Sequence, residues 1–425
     1  MNRPVPLSRR ALLSSALSLG ALAVLPPARA HIKAKLVVIG GGFGGASAAQ
    51  HLRTLLPDAE ITLVEPNPIY TACPFSNLVI SGTRTLSQQQ FGYESLRARG
   101  ITLAHDRAVA VDTSKRHVRL QSGHTLAYDR LILSPGIDIR WNQISGYDQA
   151  AAEHMPHAWK AGGQTELLRA QLTAMPEGGL VVMSVPPAPY RCPPGPYERA
   201  SLIAHYLKTH KPRSKLLILD AKDSFSKQSL FQAAWAEHYP HHIEWRSATE
   251  DGRVARIDAA TRTVWTDFES YQADVVNIIP PQKAGQIADL AGVSDATGWC
   301  PIDPVSFEST RVPGIHVIGD ATLAAPMPKS AFSANLQAKI CAHAIASLLS
   351  ERAPEPTILT NTCYSYTTPE TAVSITGVYT SQDHQLRSVA GAGGVSPLAA
   401  EVGVRRTEAA EAAAWFQTIT QDAFG

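Results

Sequence analysis

The run Lys35-Leu36-Val37-Val38-Ile39-Gly40-Gly41-Gly42-Phe43-Gly44-Gly45 decides the fold of this chain. Its apolar, β-branched first half reads as a buried strand. Gly40, Gly42 and Gly45 then make a G-x-G-x-x-G turn into a helix predicted to reach about Leu56. The next strand, Glu60-Ile61-Thr62-Leu63-Val64-Glu65, ends in an acid about twenty residues past the glycines. Glycines at this spacing let backbone N–H groups approach a pyrophosphate at the helix N-terminus. Glu65 is placed to take the ribose hydroxyls of an adenosine, the plain alternative being a surface acid at a strand end. A glycine motif alone is weak; strand, glycines, helix, strand and acid in this order make a specific fingerprint for FAD.

Working outward, Tyr128 to Gly136 reads as a strand running into a turn, and Gly314 to Val317 as a strand that meets Gly319-Asp320. This pair resembles the second flavin-contacting motif of two-dinucleotide flavoproteins, which implies that Asp320 reaches the ribityl chain and that the following helix, predicted over Ser333 to Leu349, turns its N-terminus to the phosphate or flavin. Between these parts a second nucleotide-type unit begins with the strand Gly179 to Val185 and continues through Lys215 to Asp220. Its loop reads Tyr190-Arg191-Cys192-Pro193-Pro194-Gly195-Pro196-Tyr197-Glu198. Proline offers no N–H and its ring blocks close approach of a phosphate. A nicotinamide nucleotide therefore has no cradle there, and a thiol stands in its place. The organisation expected is α/β, with two Rossmann-like dinucleotide-binding domains and a C-terminal α+β domain. The boundaries are a leader over 1–30, a discontinuous FAD-binding domain over 31–145 and 282–352, a second nucleotide-type domain without an NAD site over 146–281, and a C-terminal interface domain over 353–425.

With 425 residues, two to three domains are expected. The leader holds four arginines and no acid; without it, 34 basic face 36 acidic residues, a formal charge of −2. That excludes a basic nucleic-acid stripe and gives no argument for a membrane surface. Ser8-Arg9-Arg10-Ala11-Leu12-Leu13, an apolar stretch and Ala28-Arg29-Ala30 read as a twin-arginine signal, which exports folded proteins to the periplasm; an ordinary secretory signal is the alternative. After the leader no apolar run is long enough to span a membrane. Five cysteines, an odd number, fit one disulfide, one covalently occupied thiol and two buried thiols. No Cys-x-x-Cys-His occurs, so the chain carries no c-type haem of its own, and no metal site is expected.

Across the whole mature chain these motifs closely resemble the flavoprotein subunit of flavocytochrome c sulfide dehydrogenase. The likeness is carried by Tyr70-Thr71-Ala72-Cys73, Pro156 to Gly162, Arg191 to Ser201, Ile278 to Gln282, Gly298-Trp299-Cys300-Pro301, Pro326-Met327-Pro328-Lys329-Ser330 and Asn361-Thr362-Cys363-Tyr364-Ser365. The resemblance implies a glutathione-reductase-like fold, FAD held covalently, and a separate c-type cytochrome subunit forming a heterodimer. It implies that Cys73 bonds the flavin 8α-methyl as an 8α-S-cysteinyl link, where an ordinary buried cysteine is the bland alternative. It also implies that Cys192 and Cys363 form a redox-active disulfide over the flavin, against a merely structural one. Glu198 corresponds to the family's nearby acid, either a proton relay or a helix N-terminal acid. Lys329 is expected near the flavin pyrimidine edge, with a surface lysine as alternative. Trp415 is expected to cover the flavin or serve as an ordinary core aromatic, and Cys300 and Cys341 to be structural.

The chemistry that follows is thiol–disulfide exchange with an inorganic nucleophile: hydrosulfide opens the disulfide, leaving a persulfide on Cys192 and a thiolate on Cys363 nearest the flavin. Polysulfide or zero-valent sulfur leaves, and the cytochrome receives the electrons. Three rivals stand beside this reading. A sulfide:quinone oxidoreductase would share the fold and the disulfide, but the alanine- and acid-rich C-terminal helix gives little support for membrane binding. An NAD(P)H-dependent disulfide reductase is opposed by the missing second glycine motif. A non-catalytic flavin subunit that tunes a cytochrome is opposed by Cys192 and Cys363.

Overall fold

The computed structural model describes residues 32–425, which form one compact unit. The twin-arginine leader lies outside the described residues. The strand Lys35–Ile39 sits at the centre of a five-stranded parallel sheet, between Glu60–Val64 on one side and Arg130–Leu133 on the other. Thr102–Ala104 extends one edge, and Ile315–Val317, from far along the chain, completes the other. Leu36, Val37 and Val38 are buried, as a strand covered on both faces requires. Helix Phe43–Leu55 starts directly from the glycine turn and packs on helix Ala331–Leu349. The Asn335 side chain donates to Ser47 Oγ across that contact at 2.7 Å.

Two glycines need their freedom here. Gly40 has φ +99°, and a Cβ there would collide with the Ser134 carbonyl oxygen. A Cβ on Gly45 would collide with the Gly40 carbonyl, so the third glycine of the motif serves helix–strand packing.

A second parallel sheet is built from Ile243–Arg246, Lys215–Asp220, Leu180–Val185 and Val275–Ile278, in that order. Helix Gly195–His210 follows its first strand after the proline-rich loop, and helix Gln228–His238 follows the next. The chain then returns to the first sheet. Its last part is a long antiparallel hairpin, Leu359–Thr368 with Thr371–Gln382, extended by Gln385–Ser388, and a final helix Val402–Phe424. The alternating pattern at Ala372 to Thr376 is the second hairpin strand. Leu202, Tyr366, Ala372 and Ala412 share a small core that joins the second-sheet helix, the hairpin and the final helix. That core fixes the hairpin over the junction of the two sheets. Among the described residues, no helix is long and apolar enough to cross a membrane.

Candidate active site

The glycine turn opens into a cavity of about 540 Å³. Gly40 and Gly42 line its floor, and Glu65 lies beside them. The Glu65 carboxylate accepts from Gly41 N at 2.9 Å and from Asn67 N at 3.0 Å, so it is held in place at the strand end. At the far side Gly319 and Asp320 form a single turn after the strand Ile315–Val317. Asp320 Oδ1 is buried with no hydrogen-bond partner, and Oδ2 lies 3.9 Å from Arg191 Nη1. Burial raises the Asp320 carboxyl above its ordinary range, opposed by Arg191 and Lys329. A buried carboxylate oxygen without a donor is costly, and a sugar-alcohol hydroxyl is the kind of group that would satisfy it. The narrow glycine floor, the fixed Glu65 and the orphaned Asp320 oxygen fit FAD.

Cys73 lines the same cavity, between the short strand Tyr70–Thr71 and the left-handed Phe75 that starts helix Ser76–Ser81. Its Sγ lies 3.9 Å from the Trp159 carbonyl. Arg191 reaches that same carbonyl, so its guanidinium sits between Cys73 and Asp320. Burial works against the Arg191 charge, yet Cys73, Asp320, Tyr70 and Cys192 around it hold its proton more firmly than usual.

Cys192 enters from the second sheet. It has the left-handed φ of +55°, rare for a side chain with a Cβ, and it is pinned by its N–H to the Lys329 carbonyl at 2.8 Å. Gly195 N donates to the Cys192 carbonyl at 2.8 Å. A Cβ on Gly195 would stand 2.9 Å from Cys192 Sγ and 3.0 Å from the Trp159 ring, so this glycine leaves room for the sulfur. Cys363 enters from the first strand of the hairpin; Asn361 Nδ2 donates to its Sγ at 3.1 Å. Asn361 Oδ1 in turn accepts from Ser330 Oγ at 2.6 Å, and Ser330 caps helix Ala331–Leu349. Both cysteines line the cavity. All five cysteines are free thiols in the structure, so the expected Cys192–Cys363 bond is not formed in it. Burial, then the charges of Cys363 and Glu198, push the Cys192 thiol far above its usual range. Burial raises Cys363 too, with Lys227 and the Asn361 hydrogen bond pulling it back.

Glu198 lies in the first turn of helix Gly195–His210 and also faces the cavity. It accepts from Asn77 Nδ2 at 2.7 Å and from the Tyr366 backbone N–H at 2.9 Å. Burial raises its carboxyl above the ordinary range, against those two hydrogen bonds. Behind it, the fully buried Arg199 donates to Asn77 Oδ1, Asn277 Oδ1 and the carbonyls of His157 and Ala158. Arg199 thus carries the fixed positive charge that ties the helix to both sheets; burial lowers it to about 9.

Lys329 lies behind the Gly319-Asp320 turn. Its ammonium is held by the carbonyls of Asp320 and Thr322 and lies 3.8 Å over the Trp299 ring. Its hydrogen bonds are spent under the Gly-Asp turn, so it supports Asp320 instead of lining the cavity. Cys300 and Cys341 are fully buried in the core. Trp415 lines the cavity wall and stacks with Phe332 at 6.3 Å between centroids and 13° between planes.

Side chains also pack closely beyond the proline loop, at the end of the next strand of the second sheet. Asp220, at the end of the strand Lys215–Asp220, stands where an acid would take a nucleotide ribose. It is wholly buried and accepts from Tyr197 Oη at 2.6 Å, Trp245 Nε1 at 3.1 Å and Lys222 Nζ at 2.5 Å. Tyr197 also stacks on Phe225 with centroids 3.6 Å apart. The protein's own side chains fill the place. Reading the sequence missed this seal, although Asp220 and Tyr197 were both visible in it, and it missed Lys227, described below.

Two parallel sheets, a glycine-floored FAD cavity and a cysteine pair opening into it define the class: an α/β FAD-dependent oxidoreductase of the disulfide-oxidoreductase fold. Family models match in three blocks: Pyridine nucleotide-disulphide oxidoreductase over residues 34–177, Sulfide dehydrogenase (flavocytochrome c) flavoprotein chain, central, over 165–280, and Flavocytochrome c sulphide dehydrogenase, flavin-binding, over 354–424. The chain is 58% identical over 45 residues to the Sulfide dehydrogenase (flavocytochrome c) flavoprotein chain of Chlorobaculum thiosulfatiphilum, a match covering 94% of that sequence and 11% of this one. It is 23% identical over 342 residues to the mitochondrial Sulfide:quinone oxidoreductase of Mus musculus, covering 75% of this chain and 72% of that one. The solved sulfide:quinone oxidoreductase from Aquifex aeolicus shares the fold, with a TM-score of 0.71, 19% identity and 92% of each chain covered. The chain belongs to the flavocytochrome c sulfide dehydrogenase flavoprotein family.

Proposed function

We propose that this chain oxidises hydrosulfide in the periplasm and passes the electrons to a c-type cytochrome subunit bound as a heterodimer. The observation that carries the reading is the entry of Cys192 and Cys363 into one FAD cavity from two different elements, with Tyr197 packed on Asp220 where a second nucleotide's ribose would bind. In the oxidised protein the two sulfurs are bonded. Hydrosulfide attacks Cys192, the bond between the cysteines breaks, and Cys363 leaves as a thiolate while the persulfide keeps the hydrogen. Asn361 holds the leaving sulfur, and Glu198 holds or returns a proton beside it. FAD would be held by Gly40, Gly42, Glu65 and Asp320 and would supply a two-electron acceptor able to release electrons singly, with Cys73 as its covalent anchor.

The test is an anaerobic titration of the purified flavoprotein with sulfide and, separately, NADH. Bleaching of the flavin by sulfide alone is expected; bleaching by NADH with indifference to sulfide would overturn the reading. Flavin fluorescence that stays with the denatured chain on a gel checks the thioether. A second acceptor is favoured by one observation: the stacked Phe332 and Trp415 at the cavity wall would also seat a quinone ring. Faster reoxidation of the reduced protein by a short-chain quinone than by a c-type cytochrome would favour that acceptor.

A further inference from the structure

Lys227 is a buried cation with no anionic partner among the described residues. It stands in the left-handed conformation, φ +63°, immediately before helix Gln228–His238, and only 7% of it is exposed. Its ammonium donates to the Cys363 carbonyl at 2.9 Å, Ser365 Oγ at 2.8 Å and the Val373 carbonyl at 3.3 Å, and lies 5.9 Å from the Phe231 ring centre. Three neutral oxygens thus use its three protons. Among the described residues, no carboxylate lies within ion-pairing distance of it. An ammonium taken out of water this way is expensive unless a negative charge appears beside it.

Its charged and titratable neighbours are few. Cys363 and Cys192 face it from the hairpin and the proline loop, Glu198 from helix Gly195–His210, and Glu408 from the final helix. Cys363 is also faced by Asn361, Ser330 and, across the hairpin, Tyr379. Cys192 is also faced by Arg191 and Arg199.

We infer that Lys227 is the countercharge for the thiolate released at Cys363, a positioning residue fixed to that cysteine's own backbone carbonyl. The inference rests on the sulfide reading for its setting. Attack of hydrosulfide on Cys192 breaks one S–S bond and forms another, and the electron pair of the broken bond stays on Cys363. One negative charge enters on hydrosulfide and one remains on Cys363, where Lys227 is already waiting. Burial lowers Lys227 to about 8, so it is still mainly protonated at neutral pH.

The experiment uses FAD-loaded protein carrying Cys192→Ser, which leaves Cys363 without its disulfide partner. The rate of Cys363 alkylation by iodoacetamide is followed by mass spectrometry across pH, with and without Lys227→Gln or Lys227→Arg. An adjacent cation lowers a neighbouring acid by about one to three units. Lys227→Gln should therefore move the alkylation midpoint up by about one unit, roughly a tenfold slower reaction near neutrality. Lys227→Arg should restore most of it. An unmoved midpoint in Lys227→Gln overturns the inference, as does an arginine variant that behaves like glutamine. If Lys227→Gln does not fold, Lys227→Met takes its place with the same two criteria. Failure of the sulfide reading shows elsewhere, as a flavin that sulfide does not bleach in the unmodified protein.

Discussion

Cys192 and Cys363 are each held by a single well-defined contact set, so each can be removed cleanly. Cys192→Ser or Cys363→Ser should lower the rate of flavin bleaching by sulfide at least about a hundredfold, read by stopped-flow absorbance. Glu198 is less forgiving. Asn77 presents its NH₂ to Glu198 because its oxygen is already taken by Arg199. The other Glu198 oxygen accepts from the Tyr366 N–H, so Glu198→Gln sets a donor against a donor at one of the two places, and about 1 to 3 kcal/mol of stability should be lost, measured by denaturant unfolding. His157 gives the pH dependence. Its ring accepts from Trp159 N at 2.9 Å, and burial, with Arg199 next, lowers it to about 3. The unfolded chain takes that proton near pH 6.5, so stability is complete above that value and falls as pH drops toward 3. The thermal midpoint of the protein should fall through this window, and His157→Asn should flatten the slope. The two cysteines were legible through their family motif, and Glu198 with them. Lys227 was not: it sits in the ordinary-looking Ser224-Phe225-Ser226-Lys227-Gln228, and its burial comes from a hairpin 136 residues away.

At the scale of elements, the final helix is packed on the hairpin and clasped again at its end. Asp422 accepts from Asn335 Nδ2 at 2.6 Å, pairs with Lys339 at 3.0 Å and lies 3.5 Å from His51. Phe424 packs among Phe43, Tyr70 and Phe91 beside the glycine turn. Burial pushes the Asp422 carboxyl up, but His51, Asn335 and Lys339 outweigh it, so the net shift is down. Its stabilisation is therefore whole above the ordinary carboxylate range and is lost as pH falls through the lowered value. Asp422→Ala should speed hydrogen exchange selectively in Val402–Phe424 at neutral pH, by about tenfold, with the two sheets unaffected. The strands and both Rossmann units were readable because their apolar runs are continuous and their glycines and acids are fixed in order. The clasp at Asp422 was not readable, since its partners lie on two other helices and nothing in the local pattern joins them.

For the whole molecule, the bond expected between Cys192 and Cys363 would join the second sheet to the hairpin across the cavity. Such a link restricts the unfolded chain, and a contribution of about 2 to 4 kcal/mol is expected in the oxidised form. Calorimetry of oxidised and dithiol-reduced protein should give the higher transition to the oxidised one; equal transitions would mean that the two sulfurs never bond. The Asp220 knot has a wider consequence. Tyr197, Phe225 and Trp245 act as insulation: they fill the space around Asp220 that a nucleotide donor would need on its way to a flavin in the cavity. A redox centre walled off in this way idles at the potential of its own substrate and its own acceptor. It neither drains metabolic reductant nor is held reduced by it.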